Sequence, residues 1–295
     1  MASDLLLANK PASPLDRAPP HVFFLISAVF HYLGPSFAVL LFAEIAPLGV
    51  AWLRIASAAL IFAVWRPPWR AFRALSARDR AIIIALGLVL AAMNSIFYEA
   101  IARLPLGTVG AIEFLGPIAI AAYGLRTRRN LAALALAAAG VYALTDVRIA
   151  GEPLGFVFAF LNCALFALYI VLGHRIASSG GAVSSVDRLG AAMGVAAVAA
   201  LPIGLGDALP AFSSPFLLFA AIGVGVSSSV IPYICDQLAM RRLPRATFAL
   251  LLSLLPATAS VIGFVVLRQT PSLMDALGVA LVVGGVALRE SESES

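Results

Sequence analysis

The sequence predicts an all-α integral membrane protein of ten transmembrane helices, arranged as two inverted five-helix repeats with both termini in the cytoplasm. Three observations lead there. The first is an internal duplication: Arg103-Leu104-Pro105-Leu106-Gly107-Thr108 returns as Arg242-Leu243-Pro244-Arg245-Ala246-Thr247. The same offset of 139 residues pairs Ala100 with Ala239, Leu115 with Leu254, Pro117 with Pro256 and Gly124 with Gly263. The second is composition. At 62% hydrophobic and 12% charged, with a mean hydropathy of +1.00, the 295 residues hold too little polar surface to coat a soluble globule. The third is the placement of the arginines, which fixes orientation.

In chain order, residues 1–20 carry four prolines and few apolar side chains and are expected to be a disordered cytoplasmic tail. No cleavable signal is expected, because the first apolar run begins near Val22 and is long enough to span. Ten apolar runs of spanning length then follow, roughly 17 to 25 residues for most of them. They fall at 22–42, 46–65, 80–101, 106–125, 130–145, 153–173, 186–204, 214–236, 246–267 and 273–288. Spans one to five make a first repeat over 21–147, and spans six to ten a second over 148–289. Residues 290–295 form a short polar tail.

The basic residues of the loops alternate in density. Sixteen of the twenty Lys and Arg residues lie in the tails or after the even-numbered spans, whereas the opposite loops hold Arg103, Arg148 and Arg268, and Arg54 lies inside span two. The positive-inside rule places the dense loops in the cytoplasm. Because each repeat has an odd number of spans, the second copy enters the membrane from the other side. Two inverted copies give a chain two nearly equivalent conformations, open to opposite sides, which is what alternating access requires.

Several chemistries are excluded. There is no phosphate-binding Gly-rich loop ending in Lys, and the single lysine is Lys10 in the tail, so ATP hydrolysis is not expected. His21, His31 and His174 lack a zinc-site spacing, and no serine sits in a nucleophile elbow. No cofactor, metal or catalytic site is expected, and the basic excess reads as topology rather than nucleic-acid binding. Cys163 and Cys235 fall within spans and read as packing residues.

What remains is a set of polar groups at membrane depth, where they are costly. Glu113 lies inside span four, just before Gly116-Pro117. Pro117 deprives the helix of a donor and frees the carbonyl near Glu113, so this turn combines an acid, an acceptor and a hinge. It could hold an ammonium or carry a proton; the structural alternative is a packing glutamate, neutral or paired with Arg54. Asn94 and Tyr98 in span three share a face, and their positional mates in span eight are Tyr233 and Gln237. Span one adds His31, Tyr32 and Gly34-Pro35, and span six adds Asn162 and Tyr169. These are expected to line a cavity, with Pro35, Gly116, Pro117 and Pro256 as hinges; interhelical hydrogen bonding is the competing reading. Glu99 and Asp236, near span ends, read as snorkelling or capping groups. Spans five and ten, with Gly140, Gly278, Gly284 and Gly285, read as outer packing or dimer helices.

Taken in order, Ala92-Met93-Asn94 through Tyr98, Leu104-Pro105-Leu106-Gly107 and Glu113-Phe114-Leu115-Gly116-Pro117 resemble the EamA family of the drug/metabolite transporter superfamily. The likeness is to its branch of threonine/homoserine and aromatic amino-acid exporters. Arg54, Ala167, Tyr169, Pro232-Tyr233 and Pro256 also match, while Phe166 and Gln269 stand where the family often has Trp and Glu. The resemblance implies a bacterial inner-membrane exporter of amino acids, acting as monomer or homodimer, with a cavity lined by spans one, three, four, six, eight and nine. The alternatives are efflux of drugs or other metabolites, or a non-transporting membrane scaffold.

Overall fold

A computed structural model describes residues 19–124, 127–146, 152–178, 183–240 and 255–288, and every regular element among them is helical. In chain order these are α1 (Pro20–Leu41), α2 (Pro47–Trp65), α3 (Pro68–Ala74), α4 (Ala77–Ile101), α5 (Leu106–Glu113), α6 (Leu115–Gly124) and α7 (Arg128–Asp146). Then come α8 (Pro153–Ser178), α9 (Ser185–Ser213), α10 (Pro215–Gly225), a π turn (Val226–Val230), α11 (Ile231–Met240), α12 (Leu255–Leu267) and α13 (Leu273–Leu288). The second copy of the duplicated turn, with Leu252 and Leu254, lies outside the described residues, as do nearly all of both tails.

Local chemistry sets the starts. Proline occupies the first turn of α1, α2, α3 and α10, where its missing N–H is no loss. Ser76 and Ser184 cap α4 and α9 by accepting from the backbone N–H of Asp79 and Asp187, both at 3.1 Å.

Three details depart from the expected spans. The stretch after span two, read as loop, contains α3. Span seven runs nine residues further, to Ser213, and tolerates Pro202 and Pro210 inside the helix. Span four is two helices, interrupted at Phe114. The cause is Pro117, which has no N–H to offer the carbonyl of Glu113 four residues earlier.

Among the described residues six helices are long and apolar enough to cross a bilayer: Val22–Leu41, Pro47–Trp65, Ala77–Ile101, Pro153–Gly173, Ser185–Ser213 and Pro215–Asp236. Shorter apolar helices cover Leu255–Leu267 and Leu273–Leu288. Large apolar side chains such as Val64, Phe216, Phe219 and Leu273 face outward, a surface suited to lipid tails.

Helix packing relies on small residues. On the α2–α9 seam a Cβ on Gly49 would lie 2.5 Å from the backbone of Asp207, and Trp52 Nε1 donates to the Ala197 carbonyl at 3.1 Å. On the α7–α13 seam a Cβ on Gly140 would lie 2.6 Å from the Gly278 carbonyl oxygen. Close approach of this kind replaces the hydrophobic driving force that lipid cannot supply. Further close pairings join α4 with α8, α1 with α11 and α5 with α12.

The apolar core is in two clusters. One draws on every helix except α3, and includes Tyr32, Tyr98 and Phe114. The other gathers α2, α3, α4 and α9 with Tyr233, and Phe166 and Tyr169 pack against it. Tyr32, Tyr98 and Phe114 thus lie in one cluster and Tyr233 in the other.

Candidate functional site

Glu113 ends α5 and is buried. Its Oε1 accepts from Asn162 Nδ2 of α8 at 3.0 Å. Among the described residues its Oε2 has no hydrogen-bond partner, and neither has the other end of the amide, Asn162 Oδ1. From α1, Tyr32 reaches the same place. Its hydroxyl would lie 3.1 Å from a Cβ on Gly110, three residues before Glu113, so glycine is what admits the ring there. Tyr32 Oη and the Glu113 carboxylate are near enough to couple electrostatically, but their geometry is not that of a hydrogen bond, and the hydroxyl is left without a partner.

On the opposite side stands Arg54, buried in α2. Its Nε donates to Ser229 Oγ and its Nη2 to the Ser228 carbonyl, both at 2.9 Å. The reason for that carbonyl's availability is Pro232: four residues on, it has no N–H to return. The helix relaxes into the π turn, with Ile231 N–H reaching back to Val226 and with Ser227 and Ser228 donating from Oγ to the carbonyls of Gly223 and Val224. Ser227, Ser228 and Ser229 are all buried.

Arg54 also lies over the ring of Tyr98, 5.5 Å from its centroid, and the Tyr98 hydroxyl has no hydrogen-bond partner. Among the described residues no carboxylate forms an ion pair with Arg54; the pairs present are Arg66–Asp187 and Arg103–Glu99. The ion pair with Arg54, one branch of the structural alternative for Glu113, is not formed among the described residues. Pro232 supplies Arg54 with a neutral acceptor, and Glu113 uses Asn162 instead. The guanidinium nevertheless acts electrostatically on His31, Glu113, Tyr98 and Tyr233, which places all of them about one region.

An aromatic wall connects the two sides. Phe114 and Phe166 meet edge to face at 6.1 Å between centroids, and Phe166 stacks on Tyr169 at 5.9 Å. The structure thus joins Glu113 to Asn162, sets Tyr98, Glu113 and Tyr233 within electrostatic reach of Arg54, and sets Tyr169 within that of Tyr233. His31 is half-buried and edge-on to Tyr32 at 5.2 Å. Asn94 is buried but spends its amide N–H on its own helix, donating to the Leu90 carbonyl at 2.7 Å. Gln237 sits on α11 with its side chain outside the described residues, as is that of Pro117 on α6. Of the other expected hinges, Pro35 is inside α1, Pro256 opens α12, and Gly116 abuts α8, where a Cβ would lie 2.9 Å from the Cys163 carbonyl oxygen. Glu99 pairs with Arg103 one turn on, at the end of α4, as a terminal group should. Among the described residues no His, Cys, Asp and Glu group could hold a metal ion.

A separate cavity of about 180 Å³ opens where α5, α12 and α13 converge, lined by Thr108, Ser260, Gln269 and Asp275 among others. Gln269 Oε1 there accepts from Leu106 N–H at 3.1 Å, joining the end of α12 to the start of α5.

Known proteins carry the same sequence pattern. The chain is 32% identical over 274 residues to the threonine/homoserine exporter RhtA of Salmonella typhimurium (strain LT2), covering 90% of this chain and 88% of that one. It is 30% identical over 272 residues to RhtA of Escherichia coli (strain K12), with the same coverage. The EamA-like transporter family matches residues 153–289. This chain belongs to that family. A protein of known crystal structure shares the fold at a TM-score of 0.55 and 17% identity, over 91% of this chain and 96% of that one.

For an EamA-family transporter, the residues that sequence reasoning passed over are Arg54 as a site group and the serines of the π turn. One signal was available for the last. Three consecutive serines followed by Pro232 mark a helix with surplus acceptors, and the one arginine within a span is the donor they need.

Proposed function

We propose that this protein exports amino acids across the bacterial inner membrane by ATP-independent alternating access between two inverted five-helix repeats, with both termini cytoplasmic. The observation that carries the reading is a set of vacant hydrogen-bonding groups. Among the described residues five buried side-chain atoms lack a partner, and four of them, Tyr32 Oη, Tyr98 Oη, Glu113 Oε2 and Asn162 Oδ1, belong to one site. Buried polar atoms are satisfied in the great majority of cases, so such a cluster is suited to a polar ligand. The relatives named as threonine/homoserine exporters supply the chemical class.

The packing supports the repeat. Spans related by the duplication meet one another: α2 (span two) packs on α9 (span seven), α7 (five) on α13 (ten), and α5 (four) on α12 (nine). The pairing of α4 with α8, spans three and six, is mirrored by that of α11 with α1, spans eight and one. A two-fold relation between halves generates this pattern, and the family match over 153–289 corresponds to one half. The wall of Phe114, Phe166 and Tyr169 suits a range that includes aromatic as well as threonine-like side chains.

Counterflow in proteoliposomes tests the function. Vesicles loaded with threonine, homoserine or phenylalanine should accumulate the labelled amino acid from outside without ATP. No exchange of any amino acid, with efflux of cationic dyes instead, would leave drug efflux as the function.

A further inference from the structure

We propose that Arg54 and Tyr98 form the carboxylate-binding half of an α-amino-acid site, and that Glu113, Asn162 and Tyr32 form its ammonium-binding half. The proposal rests on the exporter reading above and assigns its recognition chemistry.

The vacancies sort by chemistry. Around Glu113 they are Glu113 Oε2, Asn162 Oδ1 and Tyr32 Oη, three oxygens able to accept. An ammonium carries three N–H donors. Around Arg54 the groups are donors. Arg54 uses Nε and Nη2 on Ser229 and Ser228, both neutral acceptors, so its positive charge has no counter-ion among the described residues. Tyr98 Oη, whose ring lies beneath the guanidinium, lies near Ser228 and Arg54 without hydrogen-bond geometry to either, so its proton is left to give. A carboxylate supplies what these two groups lack: a negative charge and up to four lone-pair sites.

The uncompensated charge is the strongest part of the case. A lone guanidinium held within a membrane bundle is costly, and the usual remedy is a nearby carboxylate. This protein has Glu113 within electrostatic reach of Arg54 and does not pair the two. Neutral anchoring through the π turn holds the guanidinium in place and keeps its charge available. Asn162 does the same for Glu113, donating to one carboxylate oxygen and leaving the other.

Both halves pack on α1. Gly34 packs directly on Ser228, the residue whose carbonyl holds Arg54, and Tyr32, two residues earlier, abuts Gly110 on the Glu113 side. Arg54 acts electrostatically on Glu113, so the two charged groups share one region. An α-amino acid carries its carboxylate and ammonium on one carbon atom and presents both of the charges that such a region can take.

The test separates recognition from transport. In proteoliposomes, whichever of threonine, homoserine and phenylalanine exchanges fastest is competed with its own amide, which lacks the carboxylate, and with its N-acetyl form, which lacks the ammonium. In the wild type each analogue should compete at least about tenfold less well, the scale of a lost hydrogen bond to a charged group. In Arg54→Gln the parent amino acid should lose affinity and its amide should not, so their ratio approaches one, while discrimination against the N-acetyl form persists. Arg54→Lys keeps the charge without the fork, and its ratio should fall by about threefold or more. A wild type that treats acid and amide alike, or an undiminished ratio in either variant, overturns the assignment while leaving the exporter reading intact. Absence of amino-acid exchange in the wild type overturns that reading, and the assignment with it.

Discussion

Tyr32→Phe separates a structural hydroxyl from a functional one. The Tyr32 side chain is fully buried and its Oη has no partner in the protein, so removing it breaks no hydrogen bond. An unsatisfied buried polar group costs about 1–3 kcal/mol, and its removal relieves part of that. The melting temperature of the purified variant in detergent should be unchanged or higher, by an amount on the order of a few degrees. Transport should move the other way. A hydrogen bond to a charged ligand group is worth about 1.5–3 kcal/mol, so the half-saturating concentration in counterflow should rise by about 10- to 150-fold. Asn162→Ala provides the opposite sign for stability. It strips Glu113 Oε1 of its 3.0 Å donor and leaves a buried carboxyl with no hydrogen-bond partner, at a cost of about 1–3 kcal/mol. A Tyr32→Phe protein that melts lower and transports normally would show that the hydroxyl supports the fold, and the reasoning from vacant groups would fail.

Three further outcomes are expected. Glu113→Gln keeps shape and removes titration, so counterflow should fall severalfold and its pH dependence between about pH 5 and 8 should flatten; wild-type flux across that range would leave Glu113 a packing role. Single cysteines at Ala74 and Ser76 should resist an impermeant thiol reagent in intact cells while those at Ala102, Ser213 and Thr270 react, and the reverse pattern would overturn the orientation read from the arginines. Pro232→Ala returns an N–H to the Ser228 carbonyl, so it should release Arg54 Nη2 and slow exchange; unchanged kinetics would show that the π turn does not serve the site.

Element placement was legible in the sequence because a bilayer imposes one rule throughout, an apolar run of sufficient length. The length of the apolar runs located the helices. The split of span four at Phe114 was half visible, since Pro117 announces a weakened helix without saying where it breaks. Burial of Glu113 beside Asn162 could not be read, because it depends on α5 and α8 meeting, and no periodicity encodes a contact across 49 residues. Asn94 shows a contact the sequence did not announce. Its residue type and its face both suggest the cavity, yet its amide satisfies the Leu90 carbonyl within its own helix, a local option that polar side chains in membrane helices always have. Arg54 was visible as an oddity and weighed as one candidate partner of Glu113, since the acceptor that Pro232 creates is apparent only once α2 is packed against the π turn.

The scaffold and the chemistry follow different symmetries. At the offset of 139 that relates the halves, Pro117 has a mate in Pro256, whereas Glu113 faces Leu252, Arg54 faces Met193 and Tyr98 faces Gln237. Both charged groups of the site come from the first half, on α2 and α5. The groups that hold them come from the second: Asn162 on α8, and Ser228 and Ser229 on the π turn. Each charge is therefore anchored across the boundary between the duplicated halves, and under the proposed alternating access a rocking of one half against the other would act on all three of these hydrogen bonds together. An exchange of inward-open and outward-open forms would need the helices to be nearly equivalent, but the ligand would need one set of groups whichever side is open. Duplicated prolines with unduplicated charges would meet both needs, with the same guanidinium and the same carboxyl at the site in either form.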